Sequence, residues 1–283
     1  MHNRKIGLGV MGWADILMKW KIPYDSDAAF KRAEIVMERI QKTAVRASEA
    51  LAEERGSFPG FSLSRWAKIG QSPRRNATVT TVAPTGTISI IAGVSSGIEP
   101  VFSLAFERTA LEGEKMVFIH PALKEVLSEN GIRSRRVLSK ILDTGSVQGV
   151  GELPGKVKKV LQTAPEVRPF SHEKMQAAFQ KFCENGVSKT INLPFSVKIS
   201  EVQKIYEEAN RLGCKGITVF RDKSKEKQVL NRGMGGNAEK KRDILEAVKW
   251  LLDDGNVEKS ASKRSFSVGL ATLSRAQIRR QSR

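Results

Sequence analysis

The sequence predicts an α/β fold. Three β-branched stretches, "NATVTTVAP" at 76–84, "SKTINLP" at 188–194 and "ITVF" at 217–220, are separated by segments of helical periodicity. Strands that alternate with helices build a parallel sheet or barrel, and ligands then sit at the carboxyl ends of the strands.

The first element follows Gly7-Leu8-Gly9-Val10-Met11-Gly12, a string that satisfies G-x-G-x-x-G. A dinucleotide fingerprint needs a buried strand before it, a helix after it and an acidic residue on a second strand about 20 residues on. "MHNRKI" is too polar and short for a central parallel strand, and Asp25 and Asp27 stand at a helix start. Only the helix half is met, by the apolar face of Ala14, Ile16, Leu17 and Trp20. The glycines need another explanation.

A long helix is predicted over about 26–55, with Ser26 as N-cap and Gly56 as its stop. Phe30, Ala33, Met37, Ile40, Ala44 and Leu51 keep helical spacing along it. "GSFPGFSLSRW" is a loop into a short helix, and 76–84 is a buried or half-buried strand. Pro84, Thr85 and Gly86 break that strand before "TISIIAG" opens a helix, whereas "EPVFSLAFERTAL" suits strand and helix equally. A helix is predicted from His120 to Glu129 with Gly131 behind it, then short helices and turns over 134–165. His172 to Asn185 is helical up to the Asn185-Gly186 stop, and Ser200 caps a helix to about Leu212. Gly213-Cys214-Lys215-Gly216 turns into "ITVF". The main body ends near residue 230; 231–239 is a Gly-rich linker, 240–254 an amphipathic helix and 255–283 a basic, flexible tail.

Composition narrows the function classes. At 283 residues and 40% hydrophobic content, the chain is large enough for a buried core. It has no run of 18 apolar residues, which argues against a helical membrane span, and Gly7, Gly9 and Gly12 interrupt any signal-peptide core. Cys183 and Cys214 lack C-x-x-C spacing, which argues against zinc ribbons, iron–sulfur clusters and disulfide scaffolds and suits a reducing cytoplasm. His2, His120 and His172 are scattered, so no metal site is predicted. The net charge of +18 points to a polyanionic partner: a nucleotide, a nucleic acid or an acidic protein surface. Seven Lys or Arg and no acidic residue fall in 259–283, yet no nucleic-acid-binding motif or aromatic platform accompanies them.

The strongest local signal is Ala83-Pro84-Thr85-Gly86-Thr87-Ile88-Ser89, where a strand ends and a helix begins. Unpaired amides and the positive end of the helix dipole converge there, which suits a phosphate. Thr85, Thr87 and Ser89 add hydroxyl donors, and glycine at 86 keeps a Cβ away from phosphate oxygens. An ordinary capped strand–turn–helix corner is the plainer alternative. No Gly-Lys-Ser/Thr follows, so this is not a Walker A loop.

"RRNATVTTVAPTGTISIIAGVSSGIEPVFSLAFER" closely resembles the large-subunit family of ribonucleotide reductases, in particular its adenosylcobalamin-dependent class II members. "NRKIGLGVMGWADIL", "MQAAFQKFCENGVSKTINLP" and "RLGCKGITVFRDKSKEKQVL" are similar to the same family in the same order, so the resemblance covers about residues 3–232. It implies that residues 1–230 are the C-terminal portion of a ten-stranded α/β barrel whose "PTGTIS" loop, with Ala83 before it residues 83–89, holds substrate phosphates. It also implies that "GLGVMG" belongs to the barrel and binds no dinucleotide. The implied chemistry removes a ribose 2′-hydroxyl through a cysteine thiyl radical started by adenosylcobalamin.

The family's catalytic Cys, Asn and Glu precede the segment resembling "GLGVMGWADIL", so no catalytic residue is expected in this chain. Cys183 and Cys214 are poor substitutes, and the cysteine-bearing tail of many class II members has no counterpart after Leu230. The expected partners are a ribonucleoside di- or triphosphate and a missing N-terminal part of the reductase. A non-catalytic nucleotide-binding or complementing fragment is the alternative.

Overall fold

The first half of the chain alternates helices with extended segments. In the computed structural model, which describes residues 2–109, 115–222, 224, 231–232, 244, 247–249, 251–252 and 267–268, the order begins with α1 (Trp13–Lys19) and α2 (Asp27–Arg55). Then come α3 (Arg65–Lys68), α4 (Gly86–Ala92) and a hairpin of β1 (Ala105–Thr109) and β2 (Lys115–Ile119). Helices α5 (Pro121–Glu129), α6 (Arg135–Thr144), α7 (Gly155–Val160) and α8 (Pro169–Gln180) follow. The described body closes with β3 (Thr190–Leu193), α9 (Ile199–Arg211) and β4 (Thr218–Arg221).

Four extended segments lie side by side in parallel, and they position everything else. Leu8 bridges Thr80, Val82 bridges Val187, and β3 pairs with β4 through all four of its residues. Residues 76–84, expected as a regular strand, are held by these isolated bridges instead. The reason is local: Glu184 Oε2 takes the Val79 N–H at 2.7 Å and Asn185 N donates to Thr80 O at 3.0 Å, so a tight turn replaces part of the ladder.

Helix α2 starts and stops as its sequence predicts. Ser26 Oγ accepts the Ala29 N–H at 3.2 Å, and Gly56, at φ +73°, ends the helix. Its Ala29, Ala33 and Met37 are buried against α8, in a core with Trp13, Leu17 and Phe179. Helix α8 departs from its predicted bounds. Pro169 starts it early, with φ already set for a helix, and Lys181 ends it because Asn185 is drawn away. The Asn185 side chain donates to Ile6 O at 3.1 Å and to Thr80 O at 2.8 Å, tying two extended segments together. In α9 the capping role expected of Ser200 falls to Glu201, which accepts the Lys198 N–H at 2.8 Å.

A second core surrounds α5 and α6, where Leu123, Leu138, Ile141 and Leu142 are fully buried. The stretch near residue 105, whose pattern suits strand and helix equally, is strand, paired antiparallel with "KMVFI". Residues 247–249 and 251–252 are helical, and Ala247 and Val248 are buried in this second core. Most of the linker at 231–239 and of the tail at 255–283 lies outside the described residues. Within them, Asn231–Arg232 pairs with β1 at Glu107, and Ser267–Val268 runs parallel to Phe118–Ile119. No helix among the described residues is long and apolar enough to cross a membrane.

Candidate phosphate-binding site

Loop 83–89 leaves the carboxyl end of the 78–82 segment and opens α4. Thr85 is the N-cap residue, yet its side chain does not cap its own helix. Its Oγ1 instead accepts the Gly97 N–H at 2.7 Å and lies 3.2 Å from Ser96 Oγ. The first amide bonded within the helix is that of Ser89, to Thr85 O at 2.9 Å. The amides of Gly86, Thr87 and Ile88 are therefore the ones helix geometry leaves over, and all three residues are exposed. A Cβ built on Gly86 meets nothing within 4 Å, so packing within the chain does not require glycine there.

Two of the three hydroxyls expected as donors are used elsewhere. Thr85 is buried in its contact with Gly97, and Ser89, also buried, donates to Gly86 O at 3.3 Å. Thr87 alone of the three is exposed, together with Ala83, Pro84, Gly86 and Ile88 around it. The loop thus offers mainly backbone amides.

Residues 93–99 strap this loop to the rest of the site. Gly12 N donates to Ser95 O at 2.8 Å and Trp13 N to Gly97 O at 3.3 Å, while Asp15 Oδ2 accepts the Ser95 N–H at 2.7 Å. Asp15 Oδ1 also stands 3.1 Å from His120 Nε2. Burial alone would raise the Asp15 carboxyl, but His120 and Ser95 outweigh it and hold its pKa at about 2. At the end of the strap, Glu99 receives the Lys189 ammonium at 2.5 Å and the Thr190 N–H at 2.7 Å. Lys189 is buried and also donates to His172 Nδ1 at 2.7 Å. Burial and the Lys189 charge push His172 well below the usual imidazole range, so its ring is neutral and faces Ala164 O through Nε2.

Sequence reasoning missed this network. One signal was available: the period of two in "VSKTINL" puts Lys189 in phase with buried Val187, Ile191 and Leu193. A lysine on the buried face of a strand requires a carboxylate partner. That partner, Glu99, is 90 residues away in sequence and has no local mark.

The glycines of "GLGVMG" find their explanation in close approach. A Cβ on Gly9 would overlap the Thr81 carbonyl oxygen, and one on Gly7 the Thr81 methyl group. Gly12 has φ +77° at the N-cap of α1. Their geometry is that of two extended segments touching.

Neither cysteine is activated. Burial raises the pKa of Cys183, and burial with the nearby Glu173 carboxylate pushes Cys214 up to about 11. Among the described residues no group of His, Cys, Asp and Glu is arranged to hold a metal ion.

Comparison with known proteins agrees with the resemblance. Residues 1–220 match the family described as ribonucleotide reductase, barrel domain. The vitamin B12-dependent ribonucleoside-diphosphate reductase of Thermoplasma acidophilum is 46% identical over 252 residues, which cover 89% of this chain and 33% of that protein. Its counterpart in Mycobacterium tuberculosis is 47% identical over 229 residues, covering 81% of this chain and 33% of the relative. The chain spans about one third of the length of these relatives. Among solved structures, the Actinobacillus ureae class Id ribonucleotide reductase alpha subunit matches with a TM-score of 0.67 at 28% identity, over 78% of this chain and 40% of that one. This chain belongs to the ribonucleotide reductase barrel family.

Proposed function

We propose that this chain is the C-terminal portion of the barrel of an adenosylcobalamin-dependent ribonucleotide reductase, and that loop 83–89 holds the phosphates of a ribonucleoside diphosphate. The observation that carries the loop assignment is the diverted N-cap. Thr85 turns inward to Gly97, which leaves the amides of Gly86, Thr87 and Ile88 open at the carboxyl end of a parallel segment. The names of the Thermoplasma and Mycobacterium relatives support a diphosphate substrate and a cobalamin cofactor.

The chain's own part is binding and orientation. Backbone amides and the Thr87 hydroxyl hold the phosphate oxygens, and the strap of residues 93–99 fixes the loop against Gly12 and β3. The cofactor supplies the initiating radical in the complete enzyme. The interior residues of this chain do not fit it as ligands: His120 is engaged by Asp15 and by the Ala122 N–H, and His172 by Lys189 and Ala164. With the pKa of both thiols raised, the reactive cysteines belong to the remainder of the protein, which is the expected partner of this chain. Exposed Ile6 and Leu8 mark one edge where that remainder docks.

Binding of a ribonucleoside diphosphate and of the bare nucleoside tests the loop. Gly86→Val is expected to weaken the diphosphate at least tenfold and leave the nucleoside unchanged, because the Cβ at 86 meets nothing of the chain within 4 Å and branches into the space proposed for the phosphate. Unchanged diphosphate affinity overturns the assignment. The purified chain with adenosylcobalamin and a dithiol is expected to reduce no ribonucleotide; turnover would refute the division of labour.

A further inference from the structure

A concavity of about 600 Å³ opens at the ends of the parallel segments opposite loop 83–89. Arg74 precedes the 78–82 segment, Glu184 precedes Val187 and β3, and Lys215 precedes β4, and all three line it. At ~3.3 Å per residue the cavity lies roughly 20 Å along the strands from loop 83–89. Its volume is that of an ordinary small-molecule pocket.

The charges on its wall are unevenly matched. Arg74 is engaged by Glu184 at 2.7 Å, with both side chains buried. Lys42 pairs with Glu38 at 2.7 Å and Lys181 with Glu34 at 2.9 Å. Arg46 and Arg65 have no carboxylate partner among the described residues, and the Lys215 ammonium meets the carbonyl oxygens of Cys183 and Glu184. Glu49 is the one lining carboxylate left to oppose these three cations.

The wall also favours one kind of anion. The Arg65 and Arg74 guanidinium groups lie over the Trp66 ring, 4.5 and 3.9 Å from its centre, so the indole carries cations instead of a bare stacking face. Its N–H is bonded to Ala77 O at 2.8 Å, which fixes the ring. Planar guanidinium groups recognise phosphate oxygens two at a time. We propose that this cavity binds a polyphosphate group, either the phosphate chain of a nucleotide or a free inorganic polyphosphate, independently of loop 83–89.

Calorimetric titration of the full chain with tripolyphosphate, ATP and adenosine tests this. In the Gly86→Val chain, where loop 83–89 no longer holds phosphate, tripolyphosphate and ATP are expected to bind saturably, and adenosine is expected not to displace tripolyphosphate. ATP no tighter than tripolyphosphate identifies the free anion as sufficient, whereas tighter ATP identifies a nucleotide; both support the site. Arg46→Glu and Arg65→Gln, at exposed positions, are expected to leave the melting temperature unchanged and to weaken tripolyphosphate at least tenfold. Glu49→Gln is expected to tighten it, and Gly86→Val to leave it intact. Binding that never saturates, that survives Arg46→Glu and Arg65→Gln, or that Gly86→Val abolishes overturns the proposal.

Discussion

At the carboxyl ends of the parallel segments the open groups of loop 83–89 are backbone amides, and Asp15 and Lys189 are paired behind them. At the amino ends, cations crowd around a cavity. Each end also contains an ion pair whose cation is fully buried, Lys189 with Glu99 at one and Arg74 with Glu184 at the other. The two pairs differ in a way that matters. Lys189 can give up its proton, and burial already lowers its pKa against the opposing pull of Glu99. Arg74 has no such release, because a guanidinium keeps its charge in a protein.

Breaking the pairs sharpens that contrast and gives the largest expected effects. Glu184→Ala strands the Arg74 charge and leaves the Val79 N–H without its acceptor, so a loss of about 3–5 kcal/mol is expected in urea unfolding. Glu99→Ala is expected to cost less, since Lys189 can become neutral. Equal losses would show that the ability to shed a proton contributes nothing.

The next effect belongs to the loop end and depends on pH. Asp15 has its pKa at about 2 in the folded chain against an ordinary 3.8, so its stabilisation is present above pH 3.8 and is lost as pH falls through 2. Asp15→Asn is expected to cost about 2 kcal/mol at neutral pH and progressively less in acid. A pH-independent difference would assign the role of Asp15 to its hydrogen bond with the Ser95 amide alone.

Gly86→Ala should change least. The added methyl meets nothing within 4 Å and replaces glycine at a helical position, so stability is expected to rise by up to about 1 kcal/mol. A loss of stability would mean that glycine at 86 serves the fold. Gly9→Ala is the control: its Cβ overlaps the Thr81 carbonyl oxygen, and the two segments must separate to admit it.

The sequence alone determined the elements whose causes are local. Ser26 and Gly56 bound α2 through bonds and dihedrals within a few residues, and Pro84-Thr85-Gly86 mark the end of an extended segment and the start of α4. The family resemblance was legible for a similar reason: four ordered segments keep their own residues whatever surrounds them. Tertiary structure alone decided which hydroxyls remain available at the loop. Thr85 is taken by Gly97, and Ser89 turns back on Gly86. It likewise decided why Gly7 and Gly9 are glycine, and which carboxylates neutralise Arg74 and Lys189 from 110 and 90 residues away. Such pairings follow from which segments pack together, and a buried charge selects its partner by distance in space, which separation along the chain does not encode.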